Sequence, residues 1–212
     1  MTRLKSLFNI KKNINYGENL ARFYGYKSFI GIDEAGRGPL AGPVVVAGVF
    51  LKKEIAELND SKQLSKNKRS ELFPIIKENS IYAVSVISHK TIDEINILQA
   101  TKKGMLEVTR KILTVKSNID VLLIDGNQRI NCDSVEQLPI VKGDSLSQSI
   151  AAASILAKVT RDNIMIEYAK TYPDYGFDKH KGYPTKEHIE AIKKYGVLEI
   201  HRRTFKPVKD FL

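Results

Sequence analysis

Three times in this 212-residue chain an apolar run ends at an acid set beside glycine. Ile30-Gly31-Ile32 leads into Asp33-Glu34, Val121-Leu122-Leu123-Ile124 into Asp125-Gly126-Asn127, and the run around Leu138 into Lys142-Gly143-Asp144. In open α/β sheets, side chains just beyond the carboxyl ends of strands collect at one spot. Carboxylates gathered there repel one another, and a hard divalent cation, Mg²⁺ or Mn²⁺, is the simplest partner that holds them together. Each acid also has a plainer use. Asp33 or Asp125 can be a turn acid, Asp144 can cap the helix that follows it, and Glu34 can be a surface charge. Successive strand side chains point to opposite faces, so Asp33 and Glu34 share one site only if the strand breaks at Glu34. The glycines after it permit that break; alternatively, Glu34 contributes its backbone carbonyl.

The turn after the first acids, Ala35-Gly36-Arg37-Gly38-Pro39-Leu40-Ala41-Gly42-Pro43, invites a close ligand. Backbone N–H groups of Gly36, Arg37 and Gly38 can form a nest for a phosphate or sugar oxygen, while a tight hairpin would demand the same glycines. Lys62 follows Asp60-Ser61, and Lys158 and Arg161 lie about one helical turn apart; such side chains either meet phosphate or snorkel to solvent. Tyr183, within His180-Lys181-Gly182-Tyr183-Pro184, offers a ring for stacking or for ordinary packing. The four histidines, His89, His180, His188 and His201, show no metal-ligand spacing.

Positioning these groups falls to a regular series of elements. Residues 28–33 and 43–51 read as strands joined tightly enough to be antiparallel neighbours. A helix begins at Ser65 and ends near Lys77, a strand covers 81–88, and Thr91 caps a long helix reaching Val115. Residues 121–124 form a short apolar run suited to burial on both faces, and 138–141 a further strand. From Ser145 a helix of about 25 residues follows, its 150–157 segment small or apolar and so buried. Thr185 caps a last helix that stops at Gly196. The order is strand, strand, helix, strand, helix, strand, strand, helix, which predicts an α/β fold with a mixed central sheet flanked by helices and a helical C-terminal region. Residues 1–26 read as a short N-terminal helical extension, with Leu20, Phe23 and Tyr24 spaced to pack on the body; residues 27–212 read as one domain.

The bulk composition narrows the class. With 34 Lys+Arg against 24 Asp+Glu, the net charge of +10 points to a polyanionic partner such as nucleic acid. The single cysteine, Cys132, excludes an intrachain disulfide and a Cys-rich zinc site and suits a reducing compartment. No apolar stretch approaches the roughly 20 residues that a membrane span needs. The basic residues 1–12 lack the apolar core and cleavage site of a secretory signal, although the absence of acids from 1–16 leaves a transit peptide open.

Taken in order, these blocks resemble ribonuclease HII, the type 2 ribonuclease H of bacteria. The resemblance runs from Gly31-Ile32-Asp33-Glu34-Ala35-Gly36-Arg37-Gly38-Pro39 through Asp60-Ser61-Lys62, Ile124-Asp125-Gly126-Asn127 and Lys142-Gly143-Asp144. It continues through Ile150-Ala151-Ala152-Ala153-Ser154-Ile155-Leu156-Ala157-Lys158 to His180-Lys181-Gly182-Tyr183-Pro184-Thr185 and His201-Arg202-Arg203. It implies a ribonuclease H-like fold and an endonuclease acting on the RNA strand of RNA–DNA hybrids and 5′ to single ribonucleotides embedded in duplex DNA, with 5′-phosphate and 3′-hydroxyl products. It carries metal binding and catalysis by two cations, Mn²⁺ or Mg²⁺, onto Asp33, Glu34, Asp125 and Asp144. Recognition of the 2′-hydroxyl falls to Gly36, Arg37, Gly38 and Tyr183, and phosphate contacts to Lys62, Ser154 and Lys158. A cytoplasmic monomer without membrane attachment completes the expectation.

Overall fold

Valine-rich and isoleucine-rich runs bounded by glycine and proline become strands in the computed structural model, which describes residues 12–58 and 65–212. β1 (Phe29–Ala35) and β2 (Val44–Leu51) pair antiparallel, with Asp33 opposite Ala47, as their short connection requires. β2 pairs antiparallel with β3 (Ser80–Ile87), whereas β1 pairs in parallel with β4 (Val121–Asp125), and β4 in parallel with β5 (Glu136–Ile140). The resulting order β3-β2-β1-β4-β5 is the expected mixed sheet, with the acid-bearing strands β1 and β4 side by side near its middle.

Helices cover both faces. Ile30 and Ile32 of β1, with Leu122 and Ile124 of β4, pack on Met105, Val108 and Ile112 of α3 (His89–Val115). On the other face, Val45, Ala47 and Val49 pack on Ala152 and Leu156 of α4 (Gln148–Thr171) and on Leu72 and Ile76 of α2 (Lys66–Glu78). Each such fully buried aliphatic side chain contributes about 1.5–3 kcal/mol. All of Val121, Leu122, Leu123 and Ile124 are shielded, as a strand covered on both faces must be. The small residues of α4 let it lie close to the sheet, and Gly31 shows how close: a Cβ there would collide with the backbone of Ser149 and Ile150. A separate C-terminal cluster joins Leu40, Met165, Phe177, Ile192 and Val208 around α5 (Phe177–His180) and α6 (Lys186–Tyr195).

Several local expectations are corrected. Ser88, not Thr91, caps α3, its hydroxyl accepting from the Thr91 N–H at 3.1 Å. That helix also breaks at Asn96 (φ 64°), whose Oδ1 accepts from Leu98 and Gln99 N–H and so starts a second helical run. α4 begins three residues later than Ser145, because Gly143–Ser145 is a 3₁₀ turn and Ser147 is the cap. β5 ends before Val141. Residues 1–11 lie outside the described part of the extension. Its helix α1 (Tyr16–Phe23) buries Gly17, Glu18 and Ala21, and leaves Tyr24 half exposed. A carboxylate explains this facing. Glu18 Oε1 accepts from the hydroxyls of Ser147 (2.7 Å) and Ser149 (2.6 Å) and from the Ser149 N–H (3.0 Å), the donors at the start of α4. Thr185 caps α6 as expected, and Ser65, expected to begin α2, is its cap.

Candidate active site

The parallel register of β1 and β4 makes the site. Their last paired residues are Ile32 and Ile124, so Asp33 and Asp125 come next on each strand and share the face that α4 covers. Asp33 is almost fully buried; its Oδ1 accepts from the Glu34 N–H at 2.7 Å, and the Ser154 hydroxyl of α4 also donates to it. Burial, reinforced by the charges of Glu34 and Asp125, pushes the Asp33 carboxyl well above its ordinary range. Asp125 Oδ1 accepts from the Gly143 N–H at 2.6 Å. Burial raises its pKa, the Gly143 bond opposes that, and nearby Asp144 adds to it. Asp144 stands exposed on the 3₁₀ turn and caps no helix; Ser145 Oγ donates to its Oδ1 at 3.2 Å.

Glu34 departs from expectation. β1 does not break there: Glu34 pairs with Val46 and Ala35 with Val45. Strand alternation therefore sends Glu34 away from the Asp33 face, and Arg37 Nη1 donates to its Oε1 at 3.4 Å. It still lies near enough to Asp125 for that charge to raise its pKa, with burial the larger cause and Arg37 opposing both.

The donor set consists of carboxylate oxygens alone, which fits a hard divalent cation. Two further observations bear on the fit. Three of the four acids have pKa values raised by burial, and like-charge neighbours add to each, a cost that a bound cation would remove. Among the described residues, however, no three acid, histidine or cysteine side chains already stand close enough to hold a metal ion. Each acid is instead engaged by a protein donor: Ser154 and the Glu34 N–H, Arg37, the Gly143 N–H, or Ser145.

Beside the acids, the loop 36–43 rests on two buried arginines. Arg202 donates to the carbonyls of Gly36 (2.6 Å), Arg37 (2.8 Å), Gly42 (3.0 Å) and Pro43 (3.1 Å). Arg161 of α4 donates to Pro43, Lys181 and Ala41 at 3.0–3.1 Å. Gly36 is required here, since its φ is 98° and a Cβ would overlap Nε of the Arg161 side chain. The Arg37 and Gly38 N–H groups donate to no backbone carbonyl among the described residues. Tyr183 is 41% exposed, its ring above Arg161 and its Cε1 3.7 Å from the Cβ position of Gly38.

The structure thus gathers Asp33, Glu34, Asp125, Asp144, Gly36, Arg37, Gly38, Ser154 and Tyr183 along one edge. Lys158 pairs with Asp162 at 2.7 Å, one turn along α4, and its charge, like that of Lys66, is felt by Lys181, whose pKa is lowered chiefly by burial. Lys62 lies outside the described residues. Arg161 and Arg202 are structural supports that sequence alone does not reveal, because a cation in a basic segment reads as solvated; only their place among glycine and proline turns hints otherwise. The three C-terminal histidines, unremarkable in spacing, prove to be stacked on one another.

Residues 30–208 match the family model described as Ribonuclease HII. The chain is 58% identical to a Ribonuclease HII of Endomicrobium trichonymphae over 89% of this chain and 90% of that protein. It is 52% identical to one of Clostridioides difficile over 95% of this chain and 81% of that one. Among solved structures, it is similar to the RNase HII of the Archaeoglobus fulgidus PCNA:RNase HII complex (TM-score 0.68, 26% identity, 87% and 100% of the two chains). It is also similar to the ribonuclease H2 of Pyrococcus horikoshii (TM-score 0.67, 27% identity, 87% and 97%).

Proposed function

The chain belongs to the ribonuclease HII family, metal-dependent endonucleases that act on the RNA of RNA–DNA hybrids, and on that premise we propose that it also incises duplex DNA 5′ to single embedded ribonucleotides. The observation that carries this reading is the contiguity of the acid edge with the loop 36–38 and Tyr183. Asp33, Glu34, Asp125 and Asp144 are the residues to hold two divalent cations, Mg²⁺ or Mn²⁺. Bound there, the cations would supply Lewis acidity for attack by water and for the departing 3′-oxygen, leaving 5′-phosphate and 3′-hydroxyl ends.

The remaining roles follow from the chain itself. Gly36, Arg37 and Gly38 form the loop that meets the ribose, with the Arg37 and Gly38 amides presented toward it. The exposed Tyr183 ring packs against the sugar; a 2′-hydroxyl contact is how a protein tells RNA from DNA. Arg161 and Arg202 place two positive charges beneath this loop, and neither forms a salt bridge among the described residues, which favours a phosphate above it. Ser154 and Lys158 line the edge from α4 as phosphate contacts, a role that Lys62 also takes. The net charge of +10 supplies salt-sensitive affinity for the duplex. Residues 27–212 act as the catalytic domain and 1–26 as an extension. We place the enzyme in the cytoplasm as a monomer; the single cysteine suits that compartment, and no described helix is long and apolar enough to cross a membrane.

The test is cleavage of a DNA duplex carrying one ribonucleotide, with Mg²⁺, Mn²⁺ or chelator, beside an all-DNA control. Metal-dependent incision 5′ to the ribonucleotide with the control intact is expected. Asp125→Asn should lower turnover at least a thousandfold while hybrid binding persists. Cleavage of hybrid RNA with no cut at the single ribonucleotide would refute the assignment of the loop 36–38 and Tyr183.

A further inference from the structure

Residues 180–183 are held by a chain of hydrogen bonds whose proton positions follow from its two ends. The Leu198 N–H donates to His201 Nδ1 at 2.8 Å, so that nitrogen carries a lone pair and, in the neutral ring, the proton sits on Nε2. At the other end, the Tyr183 carbonyl lies 2.9 Å from His188 Nδ1 and can only accept, so His188 is protonated at Nδ1 and bare at Nε2. The two Nε2 atoms stand 3.1 Å apart, and the assignment fits: His201 donates, His188 accepts. His180 completes the stack over His188, with ring centroids 4.5 Å apart. Its Nδ1 accepts from the Gly182 N–H at 3.1 Å, and its Nε2 donates to the Tyr175 carbonyl at 2.7 Å. The Lys181–Gly182 peptide and the Tyr183 carbonyl are thus fixed by histidine rings, while the phenol projects into solvent beside Gly38. His188 and His201 are both 0% exposed.

We propose that His188 and His201 form a neutral, directional imidazole pair whose role is to position Tyr183 against the loop 36–38, making them positioning residues for recognition of the ribonucleotide. The proposal rests on the substrate-contact reading of Tyr183 given above. Moving the His188 proton to Nε2 would set two donors face to face at 3.1 Å and leave the Tyr183 carbonyl without its tether, and moving the His201 proton to Nδ1 would set two lone pairs face to face.

Two measurements test this on the full chain. In ¹⁵N-resolved NMR at pH 7, His201 should appear as the neutral Nε2–H tautomer and His188 as the neutral Nδ1–H tautomer; the same tautomer on both rings overturns the proposal. The second is a double-mutant cycle of His188→Gln and Tyr183→Ala, read as kcat and KM on the single-ribonucleotide duplex. His188→Gln, which cannot reach the Tyr183 carbonyl as Nδ1 does, should lower kcat/KM about tenfold alone and add less than twofold to Tyr183→Ala. His188→Asn, which keeps a donor near the Nδ1 position, should recover most of the loss. Independent, multiplicative effects would mean a merely structural pair and refute the proposal. If Tyr183→Ala alone leaves incision unchanged, the contact reading of Tyr183 has failed instead, a result the cycle separates from failure of the histidine pair. Should His188→Gln not fold, His201→Asn carries the same prediction, since it keeps the acceptor for Leu198 N–H and loses only the donor to His188.

Discussion

At the residue scale, the acid edge stores unfavourable electrostatics. Asp33 is buried beside two other carboxylates, and its folded pKa lies above the unfolded one. As pH rises from the unfolded value through the folded one, the unfolded chain releases its proton first, so stability is lost across that window. Asp33→Asn removes the charge yet keeps an Oδ1 acceptor for the Glu34 N–H and for Ser154. In metal-free buffer at pH 7 it should therefore abolish turnover and raise Tm, by roughly 2–4 °C for about 1 kcal/mol recovered in a chain of this size. A D33N protein that melts at or below the wild-type temperature would show that the acids are not in conflict. Divalent cation should raise the wild-type Tm and leave that of the variant nearly unmoved.

At the scale of elements, the site depends on where α4 starts and how closely it lies on β1. The long buried helix was legible from its small and apolar residues, and the acid-ended strands from their short apolar runs. Less legible was everything set by partners distant in sequence. Ser145, Ser147 and Asp144 are all good caps, and only the carboxylate of Glu18, some 130 residues away, makes Ser147 and Ser149 the start of α4. Likewise, Leu20, Phe23 and Tyr24 have the spacing of a packing face for α1, yet its buried face is chosen by a polar contact. Arg161 reads as a phosphate contact or a snorkelling cation and Arg202 as part of a basic segment, because no local pattern announces carbonyls converging from a folded loop. Glu18→Ala leaves two hydroxyls and a helix N–H without their acceptor and should cost about 2–4 kcal/mol. Glu18→Gln, retaining an oxygen acceptor, should cost less than half of that. Thermal melts check both.

Over the whole molecule, the acid limb of stability should be written by buried histidines. Burial lowers His188 from 6.5 to about 4, with neighbouring His180 contributing, and burial together with His188 lowers His201 likewise to about 4. Charged or titratable groups facing the stack are His180, His89 and Tyr175, while Glu187, Asp178 and Lys181 lie around His180; none offers the pair a salt bridge. Between pH 6.5 and 4 the unfolded chain binds protons at positions 188 and 201 that the folded chain refuses, so stability falls as pH falls through that window and is fully present above it. Asp33, Glu34 and Asp125, whose pKa values are raised, act in the opposite sense, and a comparison that cancels them is needed. The difference between wild type and His188→Asn does so. At pH 7.5 the variant should be the less stable protein, and its deficit should shrink toward pH 4.5 by up to about 1.4 kcal/mol per pH unit, the linkage of one proton. Parallel stability curves across that range would mean that His188 takes up its proton in the folded state as readily as in the unfolded one. A buried ring with its one free nitrogen already filled by His201 has no place to put it.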